Sequence, residues 1–236
     1  MQSKIWKHLN VVTVKVDEGD GKYTAADVNR MYRMVKGNCS LPFTFYCVTN
    51  DSREIDYEIE CIPLPDHGLK KWWHKLTIFS IDFPERPTIY FDLDVVIQND
   101  IVSLLDSFRD QFLSLIVKIE FGSKTGLVFE KESITPLSWV NSSIMVFWPM
   151  QHKSLLETFL RMKKRNVEIW KGMDRYISSF YMHLIHPLDK NKHYYFRQRN
   201  DLDENSLVYY PHKTICVCTN VKNPKIIYKG LEKYFL

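Results

Sequence analysis

Two aspartates stand one residue apart, Asp92 and Asp94, inside the run 88-TIYFDLDVVIQND-100. Apolar residues flank them on both sides, Ile89 to Phe91 before and Val95 to Ile97 after. On an extended chain, residues i and i+2 project to the same side, so the two carboxylates share a face. Held together, like charges raise the pKa of one carboxyl or demand a cation. A hard divalent ion, Mn²⁺ or Mg²⁺, resolves that conflict with oxygen ligands and keeps open positions for phosphate oxygens. Elsewhere an Asp-x-Asp is read as two turn residues after a strand. The apolar flanks make a plain surface turn a poorer account of this one.

The surrounding elements must hold the pair at a strand end. The run 11-VVTVKV-16 predicts a first strand, and 17-DEGDGKY-23 a turn-rich loop. A helix is expected from the N-cap Thr24, with Asp27 completing a capping box and Gly37 as the stop. Val28, Met31, Tyr32 and Val35 mark its inner face. Further strands are expected at 43–48, 58–64, 88–92, 112–118, 143–148 and 214–218, and helices at 69–81, 152–163 and 174–185. On the helix 69–81, Leu69, Trp72, Trp73, Leu76 and Phe79 or Ser80 face inward. Trp72 and Trp73 cannot both do so fully; one belongs to the core and the other is available to a ligand. Alternating strands and helices predict an α/β fold with a mainly parallel sheet. No repeat or linker interrupts the chain, so 1–236 is read as a single domain. In such sheets ligands bind beyond the carboxyl ends of the strands, where strand order reverses. The aspartates fall at such an end.

Composition narrows the function classes. Apolar residues make up 45% and charged residues 25%, the balance of a soluble globular protein. A net charge of +4 is too small for a nucleic-acid footprint but suits an anionic small ligand. The most basic run, 161-RMKKR-165, reads as a solvated helix end, with contact to an anionic membrane surface as the functional alternative. Five scattered cysteines without a Cys-x-x-Cys predict reduced thiols and a cytoplasmic location. Cys216 and Cys218 alternate on one strand, a packing pair rather than a metal pair. The start, 1-MQSKIWKHLN-10, has no signal-peptide core, and no apolar run reaches membrane-spanning length.

Two enzyme classes use a strand-end Asp-x-Asp. The fragment 92-DLDVV-96 fits the opening motif of haloacid-dehalogenase-like phosphatases, where the first Asp is a nucleophile. That motif normally lies on the first strand, whereas 91 residues precede Asp92 here. The second class is better matched. The stretch 71-KWWHKLTIFSIDFPERPTIYFDLDVVIQNDIVSLLD-106 resembles the central region of metal-dependent GT-A glycosyltransferases. The opening 12-VTVKVDEGDGKYTAADVNRMYRMV-35 resembles their nucleotide-binding strand, loop and helix, and 140-VNSSIMVFWP-149 their sugar-site strand. The resemblance runs from about Val11 to Pro224 and points to the retaining branch that holds glycogenin and bacterial galactosyltransferases.

The resemblance implies a single GT-A domain, a Rossmann-like sheet flanked by helices. It also implies transfer of a sugar from a nucleotide-diphosphate donor, a UDP-sugar above all, to a glycan or other hydroxyl acceptor. Asp92 and Asp94 would hold Mn²⁺ or Mg²⁺. Thr13, Val14, Lys15, Tyr23, Lys75, Asp92, Leu93 and Asp94 would bind the donor, with Tyr23 on the base. Asn141 and Asp174 would be catalytic. Each of several residues also has a bland reading: Lys15 at an exposed edge, Lys75 solvated beside Lys70 and Lys71, Asn141 satisfying local backbone, Asp174 at a helix N-terminus. Relatives add a metal-binding His near the C-terminus. Here 216-CVCTNVKNPK-225 stands in that place, with Cys218 or Thr219 at the His position and His212 or a water as substitutes. Lys222 and Lys225 remain candidates for the diphosphate. A degenerate, non-catalytic sugar- or nucleotide-binding module is the non-enzymatic alternative.

Overall fold

The computed structural model describes residues 6–19, 22–106, 108–117, 140–197 and 212–219. The first strand, β1 (Leu9–Lys15), is buried almost throughout. The helix α1 (Ala25–Gly37) follows, and the Thr24 backbone N–H donates to Asp27 Oδ2 at 2.8 Å, the expected reciprocal cap. Its inner face holds Val28, Met31, Tyr32 and Val35, as the spacing predicts. Burying each such side chain contributes about 1.5–3 kcal/mol, so packing rather than propensity fixes this helix.

Next come β2 (Phe43–Thr49), β3 (Glu60–Pro63), β4 (Thr88–Phe91) and the short β5 (Val95–Ile97). The remaining strands are β6 (Leu113–Val117), β7 (Val140–Phe147), β8 (Ile185–Pro187), β9 (His193–Arg197) and β10 (Ile215–Thr219). The main sheet has the order β3-β2-β1-β4-β7-β6-β8, and β5, β10 and β9 form a second, smaller sheet. Within the main sheet only β7 runs against the rest. The chain moves outward from β1 to β2 and β3, then returns to place β4 on the other side of β1. That reversal opens a crevice beyond the carboxyl ends of β1 and β4.

One apolar layer packs α1 against Val11, Phe45, Ile89 and Phe91. The opposite layer packs Val12, Tyr90, Met145 and Phe147 against three helical elements: a 3-10 helix (Lys71–Ser80), α2 (Lys153–Arg161) and α4 (Met173–Phe180). The result is the expected α/β fold with helices on both faces.

Several elements differ from expectation. The helix of 69–81 is 3-10 from Lys71 to Ser80. Its three-residue period stacks Trp73, Leu76 and Phe79 on one buried line and leaves Trp72 half exposed. The helix of 152–163 stops at Arg161, and α3 (Lys163–Trp170) starts after the non-helical Met162. Buried Asn166 explains the break, because its Nδ2 donates to the Phe159 carbonyl at 2.9 Å and satisfies an end that a continuous helix would close. The helix of 174–185 ends at Phe180, and 185–187 pairs with β6 instead. Pro187 favours an extended residue before it and cannot continue a helix. The polar start of β7, Val140 to Ser143, and the short β5 and β9 carry too little apolar alternation to be read as strands.

Candidate active site

The acidic pair forms where β4 ends. The Asp92 backbone N–H donates to the Ser143 carbonyl at 2.8 Å, extending the pairing with β7 by one step. The Val95 N–H then donates to the Asp92 carbonyl at 3.1 Å, a tight turn that carries Asp92, Leu93 and Asp94 across the crevice. Leu93 is buried, and its carbonyl accepts from Arg30 Nη2 of α1 at 3.0 Å. The turn is therefore tied both to β7 and to α1.

Both Asp92 oxygens are engaged. Oδ1 accepts from the Tyr90 hydroxyl, and Oδ2 accepts from Lys75 Nζ at 2.6 Å. Lys75 also reaches Ser142 Oγ at 3.4 Å. Ser142 in turn donates to Asp174 Oδ1 through both its hydroxyl and its backbone N–H, the latter at 2.9 Å. A polar chain thus runs Tyr90, Asp92, Lys75, Ser142, Asp174. Asp94 stands apart: its Oδ1 is buried and has no hydrogen-bond partner, while the Tyr23 hydroxyl bonds the same carboxylate.

The electrostatics follow from this crowding. Burial, and then repulsion from Asp92, push the Asp94 carboxyl up to about 6. Burial alone would lower the Lys75 ammonium, but Asp92, Asp174 and Asp94 outweigh it and the net direction is up, so it stays charged. Burial and the neighbouring carboxylates hold Tyr23 and Tyr90 far above the ordinary phenol value, which keeps both as donors.

Two cavities meet at this chain. The first, about 440 Å³, is walled by Val14, Lys22, Tyr23, Trp72 and both aspartates. The second, about 370 Å³, is lined by Ser142, Ser143, Gly172, Asp174 and Arg175. Trp72, Lys75 and Asp92 belong to both. Glu18 crosses the first cavity's edge, accepting from the Lys71 N–H at 3.1 Å and bonding His74 Nε2 at 3.1 Å.

The structure thus gathers Val14, Tyr23, Lys75, Asp92, Leu93 and Asp94 around the first cavity and sets Asp174 on the second. Lys75 is partly buried and held in the chain of bonds, not solvated beside Lys70 and Lys71. Of the tryptophan pair, Trp73 is core and Trp72 faces both cavities. Other positions have different work. Thr13 ties β1 to β4, its hydroxyl donating to the Phe91 carbonyl at 3.0 Å. Lys15 is neither at an exposed edge nor in the cavity; it is buried and donates to the Asp51 carbonyl at 2.9 Å. Asn141 Oδ1 accepts from the Ser143 N–H at 2.9 Å, and its neighbours Ser142 and Ser143 line the second cavity in its place.

His212 lines a separate cavity with Asn99, Asp100 and Lys192, away from the aspartates. Among the described residues no third His, Cys, Asp or Glu joins the pair as a metal cluster. The backbone of β10 does approach: Val217 stands opposite Val95. The side chains of Cys216, Cys218 and Thr219, and residues Lys222 and Lys225, lie outside the described residues.

Sequence reasoning missed Tyr90, Ser142, Glu18 and His74. Tyr90 carried a usable signal, because it precedes Asp92 by two residues and strand alternation puts both on one face. The others carried none.

No protein-family model and no curated protein matches the sequence. Solved structures do. The galactosyltransferase LgtC, in complex with donor and acceptor sugar analogs, superposes with a TM-score of 0.63 at 12% identity, over 95% of this chain and 93% of that one. The bifunctional glycosyltransferase WbbM gives 0.59 at 12% identity over 94% of this chain, and GlyE from Streptococcus pneumoniae TIGR4 gives 0.56 at 11% over 79%. The chain spans about half the length of these last two, 47% of each. At such identities the likeness establishes the fold: an α/β domain of the kind found in GT-A glycosyltransferases.

Proposed function

We propose that the protein is a glycosyltransferase that moves a sugar from a nucleoside-diphosphate donor, most simply a UDP-sugar, to an acceptor hydroxyl. The observation that carries the reading is Asp94: a buried carboxylate oxygen without a partner, beside Asp92, at the crevice of a glycosyltransferase fold. The residues fit a divalent cation on chemical grounds, since Asp94 offers a bare hard oxygen, and burial with repulsion from Asp92 raises its pKa, which a cation would offset. Asp92 and Asp94 would hold Mn²⁺ or Mg²⁺, and the ion would supply charge neutralisation of the diphosphate.

The chain's own residues take the other roles. Tyr23 and Val14 wall the end of the first cavity suited to the base, and Lys22 and Lys75 bring cations to the diphosphate. Lys75 is already fixed by Asp92, so it needs no reorganisation when negative charge develops on the leaving group. The sugar would lie toward Trp72, where the cavities join, with the acceptor entering the second cavity. Acceptor oxygen and anomeric carbon form the new bond, the bond from that carbon to the diphosphate oxygen breaks, and the nucleoside diphosphate departs, taking up the proton that the acceptor hydroxyl gives up. Asp174 is the carboxylate on the acceptor side, oriented by Ser142.

Calorimetric titration of UDP, with and without Mn²⁺, tests the reading on the wild type and on Asp92→Ala/Asp94→Ala. Metal-dependent binding that the double variant loses is expected, followed by turnover of one member of a UDP-sugar panel. Binding without turnover of any donor would identify a binding module instead. No UDP binding under any metal condition would sink the UDP-sugar reading. Phosphate release from an aryl phosphate, abolished by Asp92→Asn, would favour the phosphatase. Against the latter stands the position of the motif, since 91 residues precede Asp92 where that class carries it on the first strand.

A further inference from the structure

The two cavities differ in charge. Glu18, Asp92 and Asp94 line the first against Lys22, Lys71 and Lys75, three carboxylates to three ammonium groups. Asp92 and Asp174 line the second against Lys75, Lys171 and Arg175, which leaves one positive charge over. The hydrogen bonds locate it. Lys75 and Asp92 bond each other at 2.6 Å, and Asp174 accepts from the hydroxyl and the backbone N–H of Ser142. Among the described residues, neither Lys171 nor Arg175 has a hydrogen-bond or ion-pair partner.

The fold does not account for these two cations. Arg175 stands in the first turn of α4, where the helix dipole disfavours positive charge. It follows Asp174 directly, and adjacent side chains of a helix do not face one another, so that carboxylate does not cover it. Lys171 ends α3 at a φ of 48°, a left-handed conformation that glycine adopts freely and lysine does not. A cation suits the carboxyl end of α3, but that contribution does not require the side chain to line a cavity. The other walls suit a sugar. Trp72 is half exposed and offers a flat apolar face, and Ser142 and Ser143 carry hydroxyls. A cavity of about 370 Å³ with these walls and two unpaired cations has the chemistry to take a sugar bearing a negative charge. Arginine in particular presents paired donors that match the oxygens of a carboxylate or phosphate.

We infer that the acceptor taken by the second cavity is an anionic sugar, one that carries a phosphate or a carboxylate in addition to its reacting hydroxyl, and that Lys171 and Arg175 hold the charged group. This rests on the reading of the second cavity as the acceptor side. The ring lies toward Trp72 and the reacting hydroxyl toward Asp174, with the anionic group at the two cations. Lys22 and Lys75 already bring positive charge to the diphosphate from the first cavity, so the donor has no need of the second pair.

Calorimetric titration of the whole chain tests it, using glucose, galactose, their 6-phosphates and their uronic acids, each with and without saturating UDP and Mn²⁺. At least one anionic sugar should bind about tenfold or more tightly than its neutral parent, an advantage that shrinks as salt rises. Whether the phosphates or the uronic acids show it identifies the charged group. Lys171→Ala/Arg175→Ala should erase the advantage and leave UDP affinity as in the wild type, while Lys171→Arg/Arg175→Lys should keep most of it. Lys171 is exposed and Arg175 half-buried, so both variants should melt as the wild type does. No advantage for any anionic sugar would overturn the inference. So would a matching loss of UDP affinity in the double alanine variant, which would assign the two cations to the donor diphosphate. Absence of UDP binding in the wild type would instead sink the donor reading, and the titrations without UDP would then decide whether the anionic sugar binds at Lys171 and Arg175.

Discussion

Two lysine–aspartate pairs sit at neighbouring strand ends and are built to opposite purposes. At the end of β1, Lys15 donates to the Asp51 carbonyl at 2.9 Å and lies 3.7 Å from its carboxylate. The same carboxylate takes Arg53 Nε and Nη2, both at 2.9 Å. Two cations face one anion, and the local charge is covered. At the end of β4 the ratio is inverted. Lys75 serves Asp92 at 2.6 Å while Asp94 and Asp174 also bear on it, and with Lys22 acting on Asp94 three carboxylates face two ammonium groups. A strand end that only holds the fold can close its own electrostatics. Under the proposed donor-binding role, the end of β4 keeps a deficit that binding of a cation would relieve.

The sharpest way to break the contrast is to neutralise each acid. Asp94→Asn is expected to lower kcat/KM for sugar transfer by about 10²–10³ and to abolish metal-dependent UDP binding. Asp51→Asn should leave both unchanged; steady-state kinetics and calorimetry on the two variants decide it.

The lysines come next. Lys75→Met removes the only cation bonded to Asp92 among the described residues and should cost about 3 kcal/mol of stability in metal-free protein. It should also tighten Mn²⁺ binding while weakening UDP, because the carboxylate excess grows as the diphosphate loses its partner. Lys15→Met should destabilise less, since Arg53 still pairs Asp51, and should leave UDP affinity unchanged. Urea unfolding with calorimetry separates the two.

A pH series reads the same contrast by sign. Hydrogen bonds from Arg53 hold the Asp51 carboxyl below the usual range. Its stabilisation is therefore present above the unfolded value of ~4 and is lost as pH falls below it. Asp94 is pushed up to about 6, so the folded chain retains a proton that the unfolded chain has released. The resulting destabilisation is absent below ~4 and complete above about 6. In chelator, thermal melts of wild type should lose stability with rising pH across that window relative to Asp94→Asn; parallel curves would contradict the assignment.

The smallest effect belongs to Thr13. Thr13→Val deletes the bond to the Phe91 carbonyl and should cost about 1–2 kcal/mol with activity retained. A large loss of activity with intact stability would return Thr13 to the donor site.

How much was legible in the sequence depended on range. α1 was readable to its cap because Thr24, Asp27 and Gly37 act within a few residues of one another. The 3-10 pitch of 71–80 was not, because its apolar residues fit either period until the sheet selects one. Lys15 was read as a ligand or an edge residue because its partner follows a different strand, brought alongside by the parallel pairing of Lys15 with Thr49. Asn141 was singled out while Ser142 was not, and only the Asp174 and Lys75 contacts tell those neighbours apart.

The sequence by itself determined the acidic pair, its apolar strand and the class of sheet that would carry them. Those features are local: alternation, capping and flanking polarity act over a few residues. The tertiary structure alone decided which groups meet the pair. Lys75 reaches Asp92 from 17 residues before it, and Ser142 meets Asp174 across 32. Strand order sets β1, β4 and β7 side by side, and the carboxyl edge of that order joins groups that no spacing in the chain relates.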